Sequence, residues 1–138
     1  MLNIIKTVGV LLFIDNKVLL VRHGEMAEHL NNTYGVPAGR IEPGESSIET
    51  AVRELFEETG LKTTFENLTQ IPKIYTATIE RKTGINTFHL ETFLCNNWSG
   101  KLRATDETIP EWINLDKLNH LNLLLNIKQI VADGLKLI

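Results

Sequence analysis

The sequence predicts an α/β fold, a mixed β-sheet with helices on two faces. Three observations predict it. Runs rich in Val, Ile and Leu come first, a stretch of helical period follows at 46–59, and more β-rich runs lead to a second helical stretch near the C-terminus. Elements interleaved in this order bury their apolar faces as layers. The length of 138 residues favours one domain, 1–138. With 43% hydrophobic and 22% charged residues, the chain can build a full core.

The elements follow in order. The run IIKTVGVLLFI (4–14) and the run VLLVR (18–22) flank Asp15-Asn16, which reads as a hairpin. Residues 23–40 hold three Gly, one Pro and two Asn and read as a long loop; long loops in compact domains are often functional. In 46–59, Ile48, Ala51, Val52 and Leu55 form one apolar stripe, with Phe56 at its margin. Ser46 and Glu49 have the spacing of a capping box, and Gly60 suits the residue after the helix. The runs 71–81 and 86–96 flank Lys82-Thr83-Gly84 as a second hairpin. A turn at 97–101 precedes a short strand, EWINL (111–115). Asp116 is placed to cap a last helix from Lys117 to about Asp133, with Leu118, Leu121, Leu124, Leu125 and Val131 inward and Gly134 as its stop.

Composition excludes several functions. The net charge is −3 and no Lys/Arg block exists, so duplex nucleic acid is not an expected partner. No apolar run reaches the roughly 18 residues of a membrane span. Residues 3–14 lack the small-residue cleavage site of a signal peptide. A single cysteine, Cys95, leaves no internal disulfide and fits a reducing compartment, so a soluble cytoplasmic protein is expected. His23, His29, His89 and His120 lack zinc-ligand spacing, and no EF-hand loop is present.

The chemistry concentrates in RELFEETG, residues 53–60. Glu54, Glu57 and Glu58 stand at i, i+3 and i+4, on one edge of a helix. They lie in the last turn before Gly60, where the helix dipole disfavours each negative charge by roughly 0.3–1 kcal/mol. Like-charge neighbours add about 0.2–0.5 kcal/mol per pair. A hard divalent cation turns that repulsion into coordination. Mg²⁺ takes oxygen ligands, commonly one or two carboxylates with waters and substrate phosphates. Such an ion bridges diphosphate oxygens and acidifies a bound water, and a nearby carboxylate orients that water or takes its proton.

The full stretch GRIEPGESSIETAVRELFEETGL (39–61) resembles the Nudix box of the Nudix (MutT-like) hydrolases. Gly39, Glu45, Arg53, Glu54, Leu55, Glu57, Glu58, Gly60 and Leu61 fill every specified position of that pattern. A chance match at a given start is on the order of one in a billion from average residue frequencies. The resemblance implies an α/β/α sandwich and a Mg²⁺- or Mn²⁺-dependent pyrophosphohydrolase acting on a nucleoside diphosphate linked to a moiety X. It implies Glu57 and Glu58 as main metal ligands, Glu54 as ligand or base, and the Gly39 carbonyl as a further oxygen. Glu45 would support the loop through Arg53, with an approach to the metal through water. Arg53 sits four residues after Glu49 and four before Glu57, and its expected part is to tie Glu45 and hold the loop against the helix. The base moves between box and loop in this family; outside the box, Glu107 is the first candidate and Asp106 the second. Catalysis is thus assigned to Arg53, Glu54, Glu57 and Glu107, and metal binding to Gly39, Glu54, Glu57 and Glu58.

Other residues carry weaker expectations. Arg22 and His23 either touch phosphate or lie on the surface. Tyr34, Tyr75, Phe88, Trp98 and Trp112 are candidates to stack on a base, with Trp112 reading as core. The chain departs from the family in Tyr34-Gly35-Val36-Pro37-Ala38-Gly39, where many relatives have Trp-x-x-Pro-Gly-Gly; the carbonyl of Gly39 is expected to survive. Pro72 and Tyr75 fall near, not at, the positions of sub-family substrate markers, which leaves X open. The competing reading is a nucleotide-sensing module without turnover. A prenyl diphosphate isomerase would want a cysteine at the substrate loop, and Cys95 is late on a strand. The state is a monomer or a homodimer, with Phe88–Cys95 as an edge for pairing.

Overall fold

The computed structural model describes residues 2–24, 32–81 and 84–138. In chain order the elements are β1 (Leu2–Ile14), β2 (Lys17–His23), β3 (Tyr34–Gly35), β4 (Ala38–Arg40), α1 (Ser47–Thr59), β5 (Leu68–Arg81), β6 (Gly84–Cys95), β7 (Thr108–Asn114) and α2 (Ile127–Leu135). Short 3-10 helices span Phe65–Asn67 and Leu115–His120. The strand order is β3-β2-β1-β6-β5, with β4 on β1 and β7 on β2. β1 runs parallel to β6 and antiparallel to β2 and β4, so the sheet is mixed. Among the described residues, no helix is long and apolar enough to cross a membrane.

β1 and β2 are joined by a turn at Asp15, whose φ is 53°, a conformation that Asp and Asn tolerate best among side chains. The two strands pair only next to this turn, at Phe13–Val18 and Ile14–Lys17. Beyond it they part. β1 continues between β6 and β4, and β2 continues between β7 and β3. The parting opens a wedge in the sheet, and the candidate site lies there.

Strand alternation builds two cores. Val8, Val10 and Leu12 point to α1 and cluster with its Ala51 and Leu55 and with Phe93 of β6. Leu11 points the other way, to Ile127, Ile130 and Val131 of α2 and to Leu118. Helices therefore cover both faces, as the order of elements predicts. Burying each such side chain contributes about 1.5–3 kcal/mol relative to exposure.

α1 begins and ends as its sequence dictates. Ser46 accepts from the Glu49 N–H and Glu49 from the Ser46 N–H, which is a capping box. Gly60 closes the helix in the left-handed region, φ 83°, donating to the Phe56 carbonyl. Gly60 has a second reason to lack a side chain. A Cβ there would lie 2.7 Å from the Lys101 carbonyl oxygen and 3.0 Å from Arg103 Cβ. Gly60→Ala is therefore expected to cost about 1–3 kcal/mol from backbone strain and overpacking. Urea denaturation measures it, and an unchanged midpoint would remove both reasons.

Several expectations need correction. Phe56 is exposed and does not join the buried stripe of α1. The loop 23–40 contains two short strands, β3 and β4; residues 25–31, and His29 with them, lie outside the described residues, as do Lys82 and Thr83 of the second hairpin. The last helix is not continuous. After the 3-10 helix, residues 121–124 run alongside β3, which takes their backbone groups: the Tyr34 N–H donates to the Asn122 carbonyl and the Leu124 N–H to the Tyr34 carbonyl; Leu125 and Asn126 then turn into α2. A run of four Leu in six residues fits helix or strand, and tertiary pairing decided. Leu125 faces solvent in consequence. Gly134 lies in the last turn of α2 and does not follow it; a Cβ there would strike Leu11 of β1. Phe88–Cys95 is no edge: β6 lies between β1 and β5, and β5 is the outer strand.

Candidate active site

The box wraps the last turn of α1 around one guanidinium. Arg53 donates from Nε to Glu45 Oε2 at 2.7 Å and from Nη2 to Glu45 Oε1 at 2.9 Å. Its Nη1 donates to Glu54 Oε1 at 2.7 Å and to Glu57 Oε2 at 3.2 Å, and its Nη2 to the Arg40 carbonyl at 3.0 Å. The planar fork suits this bidentate role, which a lysine cannot fill. Arg53 thus fixes the loop bearing Glu45 to the helix and offsets part of the carboxylate repulsion. Its hydrogen bonds hold the Glu45 carboxyl down at about 2. The guanidinium itself is pushed further above its ordinary range, first by the Glu45 hydrogen bonds.

The three helix acids occupy different surroundings. Glu57 is half exposed. Glu54 is largely enclosed, and burial raises its pKa against the pull of Arg53. Its carboxylate lies against Gly39 so closely that a Cβ at Gly39 would collide with it. That contact explains the glycine at the head of the box. Glu58 accepts from the Ala38 N–H at 2.6 Å. Burial raises its pKa to about 8; the Ala38 N–H opposes the rise, and the charges of Glu54, Glu57 and Glu107 add to it. Ala38, where relatives often have Gly, keeps the N–H that Glu58 needs.

Glu107 lies in the loop before β7, exposed, with its carbonyl accepting from Gly24. Its charge reaches both Glu58 and His23, so the loop acid stands on the same side as the buried helix acid. Asp106 is exposed beside it. Burial lowers the pKa of His23, with Glu107 opposing. Arg22 is occupied by Glu111, 3.3 Å away on β7. Among the described residues, no three His, Cys, Asp or Glu side chains are gathered into a ready ligand set.

An apolar cavity of about 240 Å³ opens beside Glu58 and Gly39. Tyr75, Ala77, Phe88 and Leu90 form its sheet wall, and Leu124, Leu125 and Asn126 come from the segment that leads into α2. Thr7 of β1 and His23 of β2, the two strands that part, both reach it. Of the five aromatic candidates, Tyr75 and Phe88 line this cavity, whereas Trp98 and Trp112 pack on each other with ring centroids 5.7 Å apart. Tyr34 is packed against the α2-side core.

Sequence reasoning missed Arg103. Its Nη2 donates to the Phe56 carbonyl at 2.8 Å, its N–H to the Thr59 carbonyl at 2.8 Å, and its guanidinium stacks 5.2 Å from the Phe56 ring centre. A cation at the C-terminal end of α1 favours the dipole where the acids oppose it. No spacing rule connects residue 103 to that end. Leu124 and Asn126 were hidden by the helix expected there.

A family model described as the NUDIX domain matches residues 4–134. The chain belongs to the Nudix hydrolase family. Mouse nucleoside diphosphate-linked moiety X motif 6 is 47% identical over 55 residues, 40% of this chain and 17% of that protein. The chain thus spans only a small part of this relative. The 8-oxo-dGTP diphosphatase of Escherichia coli is 29% identical over 112 residues, 81% of either protein. A MutT Nudix hydrolase from Burkholderia pseudomallei superposes with a TM-score of 0.79 at 20% identity, covering 95% of this chain and 98% of that one. A bifunctional NMN adenylyltransferase/ADP ribose pyrophosphatase from Francisella tularensis, solved with AMP and a Mn ion, gives 0.70 at 24% identity over 96% of this chain and 41% of that one. These likenesses establish the Nudix α/β/α sandwich for this chain.

Proposed function

We propose that this Nudix chain is a divalent-metal-dependent pyrophosphohydrolase that cleaves a nucleoside diphosphate linked to another moiety. The observation that carries the reading is the pairing of buried acid and cavity: Glu58 and Gly39 line the same apolar hollow. On this reading the hollow takes the nucleoside and the diphosphate lies at the helix acids. A cavity with a few convergent polar groups and a carboxyl of displaced pKa is the expected form of a small-molecule site.

The donor set suits Mg²⁺ or Mn²⁺. Glu54, Glu57, Glu58 and the Gly39 carbonyl offer only hard oxygens. Among the described residues, the buried Glu58 carboxylate has the Ala38 N–H as its hydrogen-bond donor and no cationic partner. A cation there supplies Lewis acidity toward the phosphates and acidifies a water. The chain's own residues do the rest. Arg53 competes with a cation for Glu54 and Glu57 and keeps Glu45 attached to the helix. Glu54, enclosed against Gly39, and Glu107, on the opposing loop, are the two groups proposed to take the proton of the attacking water. Glu57, the most exposed, adds charge at the open side.

The test is a panel of dNTPs, 8-oxo-dGTP, CTP, ADP-ribose and dinucleoside polyphosphates with Mg²⁺ or Mn²⁺. At least one compound is expected to be split in its diphosphate bridge, with activity abolished by EDTA and restored by metal. The relatives named above motivate the first members of the panel. Tight nucleotide binding with no metal-stimulated product would instead favour a sensing module.

A further inference from the structure

We propose that Asp133 is a positioning residue for substrate: it fixes the Tyr75 ring as a wall of the cavity and so sets the affinity for the ring held there. The inference rests on reading that cavity as the nucleoside site. Tyr75 lies on β5, lines the cavity and is only 3% exposed. A buried tyrosine needs a partner for its hydroxyl. That partner is Asp133 on α2, accepting from Tyr75 Oη at 2.5 Å. Asp133 is itself held. Gln129 Nε2 donates to its other oxygen at 2.8 Å, and Lys73 Nζ stands 3.5 Å from the oxygen that accepts from Tyr75 and 5.0 Å from the Tyr75 ring centre.

A second tie lies one residue further along β5. Asn126 Nδ2, at the start of α2, donates to the Thr76 carbonyl at 2.8 Å. Asn126 also lines the cavity, beside Leu124 and Leu125. The two bonds clasp α2 and the segment before it to β5, and both sides of that clasp contribute cavity wall. None of these groups is within the box. Their loss should change how well the nucleoside sits and leave bond breaking untouched.

The test compares Tyr75→Phe, Asp133→Ala, Asp133→Asn and the Tyr75→Phe/Asp133→Ala double variant. Steady-state kinetics use the panel compound turned over fastest. Calorimetry measures binding of AMP, GMP, CMP and UMP with Mg²⁺ present. Tyr75→Phe and Asp133→Ala are each expected to raise KM, and Kd for the best-bound monophosphate, on the order of threefold to tenfold, the size of one lost hydrogen bond. kcat should stay within about twofold of wild type. Asp133→Asn, which keeps an acceptor, should restore most of the affinity, and the double variant should be no worse than the poorer single one. A purely structural role would lower Tm and leave KM alone. Unchanged KM and Kd, a fall in kcat alone, or additive effects in the double variant would overturn the proposal. Monophosphate binding in a wild type that hydrolyses nothing on the panel rejects the hydrolase reading only, and the clasp is then judged on Kd. Turnover without monophosphate binding rejects the clasp and leaves the hydrolase standing.

Discussion

Replacing Glu58 with Gln is expected to reduce metal-dependent turnover at least on the order of a hundredfold and, in the same protein, to raise the melting temperature measured in EDTA. The two effects have one cause. Glu58 titrates near 8 in the fold, against an ordinary 4.5, chiefly through burial. A carboxyl whose pKa is raised on folding contributes its full stability below the unfolded value and loses it as pH rises toward the folded value. The metal-free wild type should therefore lose stability between about pH 4.5 and pH 8. At pH 7 the loss is on the order of 1–3 kcal/mol. Gln keeps an oxygen for the Ala38 N–H and has no charge to desolvate, so the variant's melting curve should be flatter across that range. Mg²⁺ should restore wild-type stability more at pH 8 than at pH 6 and do little for Glu58→Gln. Glu57→Gln should lose turnover as well, without the gain in stability, because Glu57 is half exposed. Thermal melts from pH 5 to pH 8, with and without metal, separate these cases. A Glu58→Gln protein that melts like wild type in EDTA at pH 8 would dismiss the account.

Gly39→Ala is the second large effect. The new methyl group meets the Glu54 carboxylate, which Arg53 also holds from the other side. Overpacking of this kind costs about 1–3 kcal/mol, and here it also displaces a candidate ligand, so turnover should fall by roughly tenfold to a hundredfold or more. The double variant Gly39→Ala/Glu54→Ala identifies the contact. Its stability should match that of Glu54→Ala, since the colliding partner is gone, whereas independent sites would add. Chemical denaturation of the four proteins completes the cycle.

Much of α1 was legible because its instructions are local. Ser46, Glu49 and Gly60 start and stop it within fifteen residues, and Ala51 and Leu55 mark its buried face. The carboxylates could be grouped from spacing alone, although their different environments could not. Spacing does not say that Glu58 turns to the Ala38 N–H while Glu57 faces water. The C-terminal third read poorly for the opposite reason. Leu121 to Asn126 has no local stop, and its conformation was decided by β3, almost ninety positions earlier in the chain. Gly134 looked like a helix stop because a glycine required by a crossing strand and one required by a turn are the same letter. Arg103 carried no signal, since its bonds to the end of α1 arise from tertiary packing.

The parting of β1 from β2 has an evolutionary consequence. The box gives the hollow Gly39, Arg40 and Glu58, while much of its apolar wall comes from β5, β6 and the stretch from Leu124 to Asn126. Under the proposed function, the acids of the box and most of the apolar wall are thereby written in separate parts of the gene. On that reading, exchanges at Phe88 or Leu125 would retune which compound enters while every acid of the box stays in register, so that one cutting edge would serve many handles.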